Sequence, residues 1–145
     1  MRTKLHKLCN FFLAFIGITI TSSCVMYGCP YSDFEAKGVV TDEEDKGIQG
    51  IRVIISADHP NSNYVGKPIT DTLWTNHSGE YSCGNEWFAD SNRIKIEFED
   101  VDGPENGGEY QKVEIEVPVF KVKEGDGDWY QGAYEAGANV TMNKK

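Results

Sequence analysis

The chain has 145 residues, with 23 acidic against 14 basic side chains and a formal net charge of −9. That balance excludes a basic nucleic-acid-binding face and disfavours contact with anionic lipid headgroups. The length suits one domain, and no repeat or low-complexity tract argues for more.

The first elements belong to export rather than to the fold. Arg2, Lys4 and Lys7 precede an apolar run from Phe11 to Ile20, and Thr21, Ser22 and Ser23 lead into Cys24. This is the layout of a signal peptide over residues 1–23. The apolar run is about half of the roughly 20 residues needed to cross a bilayer, which argues against a retained transmembrane helix.

Cleavage before Cys24 resembles bacterial lipoprotein processing, in which the new N-terminal cysteine is diacylated. Thr21 departs from the branched aliphatic residue usual three positions earlier. Cys29, preceded by Gly28, is the rival acceptor, with bulky Tyr27 against it, so the reading favours Cys24. Acyl chains contribute about 0.8 kcal/mol per buried CH₂, and more than one chain gives stable anchoring. Loss of the leader removes three bases and leaves eleven against 23 acids, a net charge of −12. Val25, Met26 and Tyr27 lack an early acidic cluster of the kind tied to surface export, which favours an outer-membrane anchor facing the periplasm.

Residues 24–33 read as a tether and 34–145 as the folded domain. With Cys9 cleaved away and Cys24 acylated, Cys29 and Cys83 are the remaining thiols in an oxidising compartment. A bridge between them would contribute roughly 4 kcal/mol by the chain-entropy model. The alternative, a buried Cys83 and an exposed free Cys29, stands equally beside it.

Phe34, Ala36, Gly38 and Val40 alternate with Glu35, Lys37 and Val39 and predict a first strand, ended by the turn "TDEEDKG". "IQGIRVIISA" predicts a second, rich in β-branched residues, and "HPNSNYVGKP" a loop. "ITDTLWT", the turn "NHSG" and "EYSC" read as a hairpin-like pair. "RIKIEFE" turns Ile94, Ile96 and Phe98 inward; "QKVEIEVPV" does the same with Val113, Ile115 and Val117; "ANVTMN" supplies the last strand. No stretch keeps a helical period. Seven short strands predict an all-β fold, a seven-stranded antiparallel Greek-key β-sandwich of transthyretin-like or immunoglobulin-like type.

"GVVTDEEDKGIQGIRVIIS" followed by "TNHSGEY" resembles the carboxypeptidase regulatory-like domains, which are transthyretin-like sandwiches. Gly47 stands where proline is common, and Asn76 where aspartate is common. "FEDVDGPENGGEY" and "GDGDWYQGAYE", behind a lipoprotein leader, resemble the small radical S-adenosylmethionine-associated lipoproteins of Bacteroidetes. The resemblance implies a location, a fold and a neighbouring radical S-adenosylmethionine maturase as partner. It implies no activity.

Candidate chemistry is sparse. His59 and His77 lie in polar loops, no zinc-ligand spacing is present, and Ser78 and Ser82 lack nucleophile-elbow glycines. Oxygen ligands gather in two Gly-rich loops: Asp100, Asp102, Glu105 and Asn106 in one, Asp126 and Asp128 in the other. Two such loops at one end of a sandwich would suit calcium, against a simpler reading as solvated turns. Trp74, Trp87, Trp129, Tyr130 and Tyr134 are mostly core or rim, and an exposed aromatic pair near "NEWF" would stack on sugar or pack on a protein. Lys37, Asn139 and Glu97 occupy the strands on which an isopeptide crosslink would form, but the alternation turns Lys37 and Glu97 to solvent, and none is expected.

Three functions compete at this stage. They are a lipid-anchored, non-enzymatic envelope module that binds a protein or glycan, with or without calcium; a substrate or companion of the maturase; and a hydrolase. The last lacks any clustered acid, base and nucleophile, so the reading is of a non-enzyme without a cofactor beyond calcium.

Overall fold

The computed structural model describes residues 29–58 and 68–145. In chain order the strands are β1 (Tyr31–Thr41), β2 (Ile51–Ala57), β3 (Ile69–Trp74), β4 (Glu80–Cys83), β5 (Arg93–Asp100), β6 (Val113–Pro118), β7 (Phe120–Glu124), β8 (Tyr130–Ala136) and β9 (Val140–Thr141), with a 3-10 turn at Glu86–Phe88. They form two sheets. One runs β4-β1-β8-β7, with β9 also on β1; the other runs β3-β2-β5-β6.

The fold is therefore all-β and sandwich-like, as the strand periodicity predicts, with three differences. First, β7 and β8 are strands in addition to the seven expected. Second, β1 pairs in parallel with β8 and β9, so that sheet is mixed rather than antiparallel. Third, β3 and β4 form no hairpin: β3 pairs with β2 and β4 with β1, in different sheets. The strand β1 also begins three residues before the expected start of the domain, at Tyr31.

Alternation builds the core. Phe34, Ala36 and Val40 of β1 face Val53 and Ile55 of β2 and Ile94, Ile96 and Phe98 of β5 in one buried cluster. Tyr81 of β4 meets Phe98 edge-on at 5.5 Å between ring centres, a contact from sheet to sheet. The outer face of the second sheet is charged and laced by ion pairs such as Lys95 to Glu114 and Lys112 to Glu97.

The crossing from β3 to β4 closes the sandwich. Thr75, 4 % exposed, donates its hydroxyl to the Ile48 carbonyl at 2.6 Å and accepts the Ile51 N–H at 3.0 Å. Asn76 then caps the turn, its Oδ1 accepting from Ser78 and Glu80 N–H groups. Gly79 has φ +77°, and a Cβ there would lie 2.2 Å from the Val40 carbonyl oxygen. Only glycine lets the turn close on β1.

The two ends of the sandwich follow from β1, whose eleven residues span about 36 Å. Its start lies beside Tyr130; its end lies beside Ile48, Gly79 and Met142.

Thr75→Val removes the hydroxyl and keeps the branched shape, leaving a buried carbonyl and N–H unpaired. We expect a loss of about 2 kcal/mol. By calorimetry or thermal circular dichroism the melting temperature should fall by roughly 6–10 °C. Thr75→Ser should lose less than half as much; equal losses for the two variants would show that packing, not the hydroxyl, holds the crossing.

Candidate functional site

The start of β1 carries the most developed surface feature. The Tyr31 N–H donates to the Trp129 carbonyl at 2.9 Å, its ring lies 5.3 Å from that of Tyr130, and the Tyr130 hydroxyl donates to Asp33 Oδ2 at 2.9 Å. Burial first, then this bond to Asp33, pushes the Tyr130 hydroxyl pKa up from its ordinary value.

Beyond β4 the chain heads back towards the same end. Asn85 caps the 3-10 turn by accepting the Trp87 N–H at 3.2 Å. The turn sinks Phe88 completely into the core, where its ring lies 5.5 Å from Phe34. The side chain of Trp87, one residue earlier, stays outside, 61 % exposed. Tyr31 and Trp129 are 51 % and 48 % exposed. Between the 3-10 turn and the start of β1 runs a groove of about 600 Å³, bounded by Cys29, Pro30, Tyr31, Trp87, Asp90 and Gln131. A second, more polar hollow beside it is bordered by Ser32, Asp33, Asp71, Asn85 and Glu86. The rim is thus aromatic and its flanks acidic.

Of the sequence candidates, Cys9, Cys24 and His59 lie outside the described residues. His77 is exposed in the Thr75–Gly79 turn. Cys29 and Cys83 are both free, Cys29 exposed and Cys83 buried. The register puts Cys83 opposite Ala36, well inside β1, whereas Cys29 precedes the strand. The Cys83 thiol donates to Asp71 Oδ2 at 3.2 Å. Burial first and then the Asp71 carboxylate push its pKa up to about 11.

The two acidic loops stand at opposite ends. Asp100 pairs with Ile51, and Gly50 lies against Asp102 and Asn106, at the far end of β1. Asp126 instead bonds through its N–H to the carbonyl of Tyr130, at the near end. The ion shared between loops that the sequence suggested is therefore corrected: strand polarity separates them by the length of the sandwich. Each carboxylate braces its own turn. Asp100 accepts the N–H groups of Asp102 and Tyr110 at 3.2 and 2.8 Å, Asp102 accepts from the Asn106 amide, and Asp126 accepts the Asp128 N–H at 3.0 Å. Glu105 stays at the exposed tip of its loop. Among the described residues no group of three or more His, Cys, Asp or Glu is placed to hold a metal ion.

Lys37, Asn139 and Glu97 do not meet as a crosslinking triad. Lys37 Nζ pairs with Glu35 at 2.7 Å, and that hydrogen bond raises its pKa, keeping the amine protonated. Glu97 is held by Lys112 at 2.6 Å on the other sheet. Asn139 Oδ1 accepts the Val39 N–H at 3.0 Å.

No protein-family model and no curated protein matches the chain. Solved structures do. Catechol 1,2-dioxygenase from Pseudomonas arvilla C-1 superposes with a TM-score of 0.54 at 8 % identity, over 82 % of this chain and 54 % of the enzyme. 3-Chlorocatechol 1,2-dioxygenase from Rhodococcus opacus 1CP gives 0.51 at 11 % identity, over 83 % and 69 %. The dioxygenase domain of a dioxygenase carbohydrate-binding protein fusion from Streptomyces sp. SirexAA-E gives 0.51 at 9 % identity, over 83 % and 86 %. The likeness is one of fold. The chain spans about half the length of the Pseudomonas enzyme.

These likenesses correct the expectation of a non-enzyme. The same sandwich is the frame of dioxygenases, so the lack of a linear catalytic motif is no ground for excluding catalysis. Catalytic groups in general can be brought together from parts of a chain far apart in sequence, where linear spacing carries no signal.

Sequence reasoning singled out Trp87 through "NEWF" but missed Tyr31 as its companion. The signal present was the aromatic content on either side of Cys29. What it lacked was the parallel β1–β8 pairing that brings Tyr31 to Trp129.

Two measurements check this arrangement. Because the fold holds the Cys83 thiol neutral, its contribution to stability is complete below the ordinary value of 9 and is lost as pH rises through about 11, so the melting temperature should fall across that window. At about pH 8, iodoacetamide should modify Cys29 in the native domain and reach Cys83 only in denaturant. No modification of either thiol without reductant would establish a bridge instead. Separately, millimolar calcium should leave the melting temperature unchanged, since the loops are braced internally; a rise reversed by chelator would restore the ion.

Proposed function

We propose that the chain is a lipid-anchored module of the bacterial cell envelope, held by Cys24 and making its contacts through the aromatic end from which the tether leaves. One observation carries the reading: Tyr31, Trp87 and Trp129 are all about half exposed or more, and all three border the end of the sandwich that continues back to Cys24. Large exposed aromatics gathered in one place mark a contact surface rather than an ordinary solvated face.

The leader pattern before Cys24 supports export and acylation, with an outer-membrane anchor facing the periplasm. The resemblance of "GVVTDEEDKGIQGIRVIIS" and "TNHSGEY" to carboxypeptidase regulatory-like domains agrees with a transthyretin-like ancestry of the sandwich. The resemblance to radical S-adenosylmethionine-associated lipoproteins agrees with the envelope location. Among the described residues no helix is long and apolar enough to cross a membrane.

Detergent phase partition of the full chain, expressed in a bacterium that processes lipoproteins, tests the anchor. The native chain and Cys29→Ser should enter the detergent phase, and Cys24→Ser should stay in the aqueous phase. Retention of Cys24→Ser in detergent, with loss by Cys29→Ser, would move the anchor to Cys29.

A further inference from the structure

We infer that the partner of the aromatic end is the bilayer itself: Tyr31, Trp87 and Trp129 rest in the headgroup layer of the membrane that holds the acyl chains, among zwitterionic headgroups carrying an ammonium. This rests on the anchoring at Cys24 proposed above.

The geometry leaves little freedom. Five residues lead from Cys24 to Cys29, no more than about 18 Å even when fully extended. The far end of β1 lies about 36 Å beyond its start, so the tether cannot bring that end to the membrane unless the domain lies flat. The near end is the one built for an interface. Tyrosine and tryptophan join an apolar ring to a polar tip and collect where hydrocarbon meets water. Here three of them, each 48 % exposed or more, surround the point where the tether enters. The 3-10 turn fixes Trp87 outward by burying Phe88, and the hydrogen bond from Tyr31 to Trp129 fixes the other two together.

Charge selects the headgroup. Acid outweighs base at this end: Asp33, Glu86, Asp90, Asp126 and Asp128 border the grooves or the β7–β8 turn, against Lys123 set over the Tyr130 ring at 5.3 Å. Anionic lipid would be repelled by them, whereas the ammonium of phosphatidylethanolamine or phosphatidylcholine meets carboxylates and aromatic faces that attract it.

The molecule carries its own control. Trp74, 54 % exposed, pairs with Arg52 at the opposite end of the sandwich. The lipidated full chain is reconstituted into vesicles of phosphatidylethanolamine and phosphatidylcholine, part of the latter brominated high on its acyl chains, and recovered by flotation. Trp74→Phe keeps the two near tryptophans, and its emission should drop by about half in brominated vesicles, the response of rings at the interface. The double variant Trp87→Phe, Trp129→Phe keeps only Trp74 and should be unaffected. Vesicles that float with unquenched Trp74→Phe protein would overturn the inference while leaving the anchor intact, and would assign the rim to a soluble glycan or protein. Equal quenching of both variants would overturn it by showing a domain lying flat. Protein that fails to float sinks the anchor and this inference with it.

Discussion

The buried hydroxyl of Thr75 is the joint on which the molecule turns. At this point the chain leaves one sheet for the other, and a crossing exposes backbone groups that neither ladder can satisfy. Thr75 supplies a donor for Ile48 and an acceptor for Ile51, and the Asn76 side chain closes the rest of the turn. Without them the crossing would bury unpaired polar groups, at about 1–3 kcal/mol for each. With them, β4 is delivered to β1 in a register that buries Tyr81 and Cys83.

That register decides what the opposite end looks like. Because β4 runs antiparallel to β1, the residues after Cys83 emerge beside the start of β1, and Asn85 there nucleates the 3-10 turn. Phe88 plugs the end of the core and Trp87 is turned out as a consequence. The parallel strand β8 brings Trp129 and Tyr130 to the same place from another direction. Three segments distant in sequence thus form one rim around the start of β1, while Trp74 and the Asp100 loop are carried to the other end. A polar hinge at one end of the sandwich and an aromatic rim at the other are two results of a single topology.

Much of the frame was legible in the sequence because alternation is a local signal. "RIKIEFE" can bury Ile94, Ile96 and Phe98 only as a strand, and all three are buried. β7 escaped because all five of its residues are exposed at a sheet edge, so nothing in "FKVKE" marks an inner face. β8 escaped because its buried position is Gly132, whose φ of +119° falls where the register of β8 slips against β1, between the Tyr31–Tyr130 and Asp33–Ala133 pairs, rather than in a regular strand. The supposed hairpin of β3 and β4 failed for a related reason: a turn signature reports that the chain reverses, not whether it returns to the same sheet. The calcium loops looked alike in composition, yet strand direction, which composition does not encode, sets them at opposite ends. Catalysis was excluded on linear motifs alone, and a sandwich shared with dioxygenases shows why that ground is insufficient.

Neutron reflectometry of the lipidated chain on a supported phosphatidylcholine bilayer bears most directly on the central claim, that the domain stands on its aromatic end. The predicted profile has protein density beginning within the headgroup layer, with no water-filled gap, and extending outward by about the length of β1, roughly 35–40 Å. A solvent layer of tether length between headgroups and protein would contradict the account, as would a thin layer matching a domain lying on its side.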